Sequence, residues 1–164
     1  MALRPTLALA AALLALAAPA AAKDSLGIFG DWGAFRDPAT PRCYAIAKAR
    51  PSSAARQHTP FASVGTWPQR RVRGQVNFQL SRTVREGSAI TLTIGGRRFP
   101  LVGGGNQAWA ANRAGDAAIV AAMRSAGQMT VGAIDAGGRR FSTTYSLDGA
   151  ATAMDAASVA CARL

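Results

Sequence analysis

Arginine is the residue of this chain best suited to do chemistry. Of its 19 basic side chains only Lys23 and Lys48 are lysines, and with 8 acidic residues the formal net charge is +11. Two groups stand out by position: Arg70, Arg71 and Arg73 beside Trp67, and Arg139–Arg140 next to Gly137-Gly138. A guanidinium is a planar fork of donors that takes phosphate or carboxylate oxygens in pairs, so these six residues form the candidate partner-binding set. Excess positive charge also attracts polyanions such as nucleic acid or lipopolysaccharide without specificity. An arginine- and alanine-rich composition would produce the same total with the charges scattered, so clustering in the fold separates the two explanations.

Other reactive types are sparse. A metal site needs several His, Cys, Asp or Glu at ligand spacing, and the single histidine, His58, has none near it. Asp31 and Asp37 could flank a cleft, and two facing carboxylates are enough for glycoside cleavage, which keeps a hydrolase as an alternative function. Gly103-Gly104-Gly105 lacks the spacing and the βαβ setting of a nucleotide-binding loop and reads as a turn. The expectation is a protein that is not an enzyme and uses no cofactor or metal.

The elements that must position these residues follow a leader. Arg4, the apolar run Leu7–Ala18, Pro19 and Ala20-Ala21-Ala22 make the three regions of a secretory signal peptide over residues 1–22. The apolar run is too short to span a bilayer, and no later segment is long enough, so the mature chain is expected to be periplasmic with no transmembrane segment. Residues 23–164 then form a single domain, large enough to bury its own core. In an exported chain the two cysteines, Cys43 and Cys161, are expected to form a structural disulfide.

Within that domain, period-two alternation marks strands. Cys43, Ala45 and Ala47 face one way and Tyr44 and Ile46 the other; residues 49–60 form a polar surface loop; Phe61–Trp67 is a strand ended by Pro68. Val72, Val76, Phe78 and Leu80 share one face, opposite a wet face carrying Arg71 and Arg73. Ile90, Leu92 and Ile94 lead into a hairpin at Gly95-Gly96, whose returning strand contains Pro100 and should therefore lie at an edge or bulge. Asp116 reads as the cap of a short helix ending at Gly127. Strands on either side of Gly137-Gly138 follow, then a helix from about Asp148 whose face is Ala150, Met154, Ala157 and Cys161.

The order of these pieces resembles the invasion-associated locus B family of exported proteins from Gram-negative bacteria. The likeness is carried by FASV at 61–64, VNFQL at 76–80, ITLTIGGRRFPL at 90–101, QAWA at 107–110, DAAIVAAMRSAGQMTV at 116–131 and TYSLDGAATAMDAA at 144–157. It covers roughly Phe61 to Cys161 and, more loosely, Gly30-Asp31-Trp32. The resemblance implies a mainly β protein, an immunoglobulin-like β-sandwich with two short helices, the last one C-terminal. It supplies no catalytic residues. The expected function is a non-enzymatic binding or accessory module of the cell envelope, whose partner is a protein or an anionic envelope component and not a specific nucleic acid.

Overall fold

Alternating apolar residues set the inner face of nearly every strand. The computed structural model describes residues 23–53 and 56–162; the leader expected at residues 1–22 lies outside them. The strands are β1 (Asp24–Phe29), β2 (Trp32–Asp37), β3 (Arg42–Lys48), β4 (Phe61–Trp67), β5 (Val72–Gln79), β6 (Ile90–Ile94), β7 (Arg97–Gly104), β8 (Gln107–Ala110), β9 (Gln128–Ile134) and β10 (Arg140–Ser146). The helices are α1 (Arg113–Met123) and α2 (Ala150–Cys161). The protein is thus mainly β with two helices, the second of them C-terminal.

All ten strands are hydrogen-bonded antiparallel in one sheet, ordered β1-β2-β3-β4-β5-β8-β7-β6-β9-β10. This ladder does not confirm the two separate sheets of an immunoglobulin-like sandwich. Instead the sheet coils until β10 reaches the first strands. The Arg50 amide donates to the Thr144 carbonyl at 2.8 Å, just beyond β3. Trp32 Nε1 on β2 donates to the Ser146 carbonyl at 2.9 Å, and the Tyr145 hydroxyl reaches the carbonyls of Phe61 and Gln79. Twist accumulating along a long antiparallel sheet brings its ends together in this way.

The core fills the inside of that coil. Ala45, Ala62, Val76, Phe78, Leu92, Ile94, Met129, Val131 and Tyr145 are buried there, with the Phe78 and Tyr145 rings 5.8 Å apart. Burial pushes the Tyr145 phenol far above its usual range. The α2 face is buried as its spacing requires, with Ala150, Ala153, Met154, Ala157 and Cys161 against β1–β4. Gly149 precedes it with φ +78, and a Cβ there would collide with the Phe29 carbonyl oxygen, so a glycine is needed at the entry to α2.

Three local expectations are corrected. Pro100 lies on β7, an interior strand between β6 and β8. However, β8 covers only Leu101–Gly104, so at Pro100 the strand is open on that side and the missing N–H costs no ladder bond. Gly103 and Gly104 belong to β7 and the turn is at Gly105-Asn106; a Cβ on Gly103 would strike the Gln107 carbonyl. Finally, α1 is capped by Asn112, whose side chain accepts from the Gly115 amide at 2.9 Å, and α1 stops at Met123, before Gly127.

Asp116 has a different task. It is buried in the first turn of α1 and accepts the Val76 amide of β5 at 2.8 Å, joining helix to sheet. Desolvation raises its pKa against the lowering effect of that amide. A raised folded-state value favours the protonated form. Its stabilising contribution is therefore complete below the unfolded pKa, about 3.9, and is lost as pH rises through the folded value. Asp116→Asn keeps an oxygen acceptor for Val76 without the charge. Thermal unfolding between pH 3.5 and 7.5 is expected to show the variant gaining on the wild type as pH rises; a constant difference would contradict this.

Candidate functional site

The meeting of the sheet ends builds a groove that no single sequence segment contains. Its walls are residues 50–53 and Arg56 after β3, Ser81–Arg82 after β5, and residues 140–144 along β10. The volume is about 710 Å³, within the range of small-molecule sites. Four arginines, Arg50, Arg56, Arg82 and Arg140, line it together with serine and threonine side chains, and no carboxylate does. Arg82 is held by Asp135 at 2.7 Å. Arg56 donates to the Arg50 carbonyl at 2.8 Å, and its charge lies close enough to Tyr145 to draw the phenol pKa down slightly against the larger effect of burial. Among the described residues Arg50, Arg56 and Arg140 have no acidic partner.

Backbone donors face the same groove. β10 is a terminal strand of the sheet. The Thr144 carbonyl accepts from Arg50 on the side away from β9. In an antiparallel strand the N–H and C=O of one residue point the same way and alternate residues repeat the direction. The amides of Arg140, Ser142 and Thr144 therefore lie on that free edge.

A second basic site occupies the other end of the same strands. In the β4–β5 ladder Phe61 pairs with Gln79 at one end and Trp67 with Val72 at the other, about 20 Å away at strand rise. There Arg71, Arg73 and Arg113 line a cavity of about 470 Å³ with Cys161 and Val120. Arg113 donates to the Arg71 carbonyl at 3.1 Å. Arg71 is the one non-glycine residue with positive φ (54) among those described, a conformation costing on the order of 1 kcal/mol.

The sequence-derived candidates divide between these places. Arg71 and Arg73 share the second site; Arg70 is exposed on the adjoining turn, Pro68–Arg70, and does not line it. The half-buried Trp67 packs its ring on Gly65, where a Cβ would lie 2.6 Å from the ring, and is outside the cavity lining. Arg140 joins the groove at the β10 edge, whereas Arg139 points to Asp135 at 3.5 Å. Asp135 takes the Arg139 amide and the Arg82 guanidinium, which together hold its pKa below the usual carboxylate range.

The remaining acid–base candidates do not converge. Asp31 is exposed in the turn before β2, while Asp37 is buried at the far end of β2 and pairs with Arg42 at 3.3 Å. The two carboxylates thus stand at opposite ends of one strand and face no common cleft. His58 Nε2 lies 3.4 Å from Thr83 Oγ1. No cluster of three metal-ligating side chains occurs among the described residues. Cys43 and Cys161 are bonded, with Cα atoms 5.7 Å apart, so the last turn of α2 is tied to β3.

The family model of the invasion associated locus B (IalB) protein matches residues 35–158, well over half of the chain. The chain belongs to the IalB family. No match was found among curated proteins or solved structures. The IalB match begins on β2 and takes in β3 with Cys43, further toward the N-terminus than the motifs from Phe61 onward, while the looser likeness at Gly30-Asp31-Trp32 and the end of the expected span at Cys161 fall outside it. No helix among the described residues of this IalB-family chain is long and apolar enough to cross a membrane.

Sequence reading missed Arg50, Arg56 and Arg82. They sit on connections that look like ordinary polar loops, 58 to 90 positions from Arg140 by chain number, and only the coiling of the sheet assembles them. The one available signal was their excess over acidic residues in those loops.

Proposed function

We propose that this IalB-family chain is an exported, non-enzymatic module of the cell envelope that binds anionic envelope components through its arginines. The observation that carries the reading is where the uncompensated arginines lie. Arg36, Arg42, Arg82, Arg124 and Arg139 are paired with aspartates, whereas Arg50, Arg56 and Arg140 gather at one end of the β4–β5 ladder and Arg71, Arg73 and Arg113 at the other; Arg70, Arg85, Arg97 and Arg98, also without an acidic partner among the described residues, are exposed outside both cavities. Composition bias alone gives no reason for basic residues without acidic partners to collect in two cavities. The leader-like N-terminus and a disulfide, which persists in oxidising compartments, support export.

The test is co-sedimentation of the purified, disulfide-bonded protein with vesicles of phosphatidylglycerol or of phosphatidylcholine. Binding to the anionic vesicles at about 50 mM salt is expected, weakening several-fold by about 500 mM as the Debye length contracts. Equal or absent retention on the two vesicle types at low salt would overturn the reading.

A further inference from the structure

The groove at the β10 edge carries a narrower conclusion, which rests on the anionic reading above. We infer that it is a binding site for a phosphomonoester group, held between the Arg56 and Arg140 guanidiniums and the free amide edge of β10.

Charge sets the ligand class. Arg50, Arg56 and Arg140 have no carboxylate partner among the described residues, while Arg82 is paired with Asp135. The groove therefore holds an excess of about three positive charges, the sum of those three guanidiniums. A phosphomonoester brings nearly two negative charges and three acceptor oxygens, against one charge and two oxygens for a carboxylate. The diester of an ordinary phospholipid also has only one charge and two free oxygens.

Donor geometry points the same way. Guanidinium forks bind phosphate oxygens in pairs, and the Arg140, Ser142 and Thr144 amides on the β10 edge add backbone donors fixed in direction. Arg50 is anchored by its own amide on Thr144, and Arg56 by its bond to the Arg50 carbonyl. The loop is thereby stitched to the strand whose edge it faces. At about 710 Å³ the groove is larger than a phosphate alone and accommodates the sugar or glycerol that bears it. Its lining is mostly arginine, serine and threonine, with Pro51 and Phe141 as the apolar members, too few to seat acyl chains, so a lipid would present its headgroup.

Two sources carry this chemistry, a soluble sugar phosphate and a lipid with a terminal phosphate, and calorimetry with glucose 6-phosphate and sedimentation with phosphatidate-containing vesicles separate them. Retention on phosphatidate vesicles above phosphatidylglycerol vesicles of equal charge is expected in either case. Glucose 6-phosphate binding as well assigns a soluble ligand; vesicle binding alone assigns a lipid headgroup. Arg56→Ala/Arg140→Ala should weaken whichever interaction is found by about tenfold to a hundredfold. Arg85→Ala/Arg97→Ala removes the same charge from exposed positions outside the groove and should change it less than about twofold. Both double variants replace exposed side chains, and an unchanged melting temperature shows that each is folded. Equal losses in the two variants, or no preference for the phosphomonoester over the diester, would overturn the site while leaving general anion binding intact. No retention on any anionic vesicle would remove the broader reading as well.

Discussion

Replacing Cys43 and Cys161 together by alanine is expected to lower the unfolding free energy by about 2–5 kcal/mol. The bridge spans 118 positions of sequence, and the chain-entropy relation assigns a loop of that length nearly 5 kcal/mol as an upper figure. The packing around it gives little compensation. The buried face of α2 is built mostly from Ala150, Ala153 and Ala157, whose methyl groups bury little area at about 25 cal/mol per Å². Its N-terminus has no side-chain cap, so the helix relies on Gly149 fitting against Phe29 at one end and on Cys161 at the other. Urea titration of the oxidised wild type and the double variant measures the loss. Hydrogen exchange should rise most in α2, ahead of β6–β9. A loss below about 1 kcal/mol would show that packing alone docks the helix.

Trp32→Ala is expected to cost about 3–5 kcal/mol, the range for truncating a large buried aromatic residue. Trp32 is fully buried and joins β2 to β10 through its 2.9 Å bond to the Ser146 carbonyl. The alanine variant loses the ring volume and leaves that carbonyl without its donor inside the core. Trp32→Phe retains most of the apolar volume but not the N–H, and should lose about 1–3 kcal/mol, the cost of a buried acceptor left unsatisfied. The alanine variant should also weaken phosphomonoester binding, because the position of β10 against residues 50–53 and Arg56 forms the groove. Denaturant titration of both variants, with vesicle binding measured on the folded fraction, tests the pair. Equal stability of Trp32→Phe and wild type would show that the indole bond contributes nothing to closure.

The parts legible from sequence were those set by local periodicity. Cys43, Ala45 and Ala47 pointed inward as their alternation required, and the i, i+4, i+7, i+11 face of α2 is buried. The disulfide followed from an even count of cysteines in a chain expected to be exported. Long-range pairing was not legible. Alternation gives each strand a wet and a dry face, but it does not say that β8 inserts between β5 and β7 or that ten strands share one ladder. The same gap hid the groove. Arg140 was visible because it flanks a glycine turn, but Arg50, Arg56 and Arg82 acquire meaning only when β10 coils back to Thr144–Arg50 contact. Asp116 shows a third kind of miss. Its type and position suit a cap, yet Asn112, four residues earlier, takes that role and leaves Asp116 to receive the Val76 amide.

The β10-edge site is tested most directly by mapping amide chemical shifts of the oxidised protein as phosphatidate in short-chain, soluble form is added. Changes concentrated at residues 50–53, Arg56, Ser81–Arg82 and residues 140–144 are expected, and Arg56→Ala/Arg140→Ala should abolish most of them. Changes centred instead on Arg71, Arg73 and Arg113, or spread evenly over every exposed arginine, would contradict the assignment.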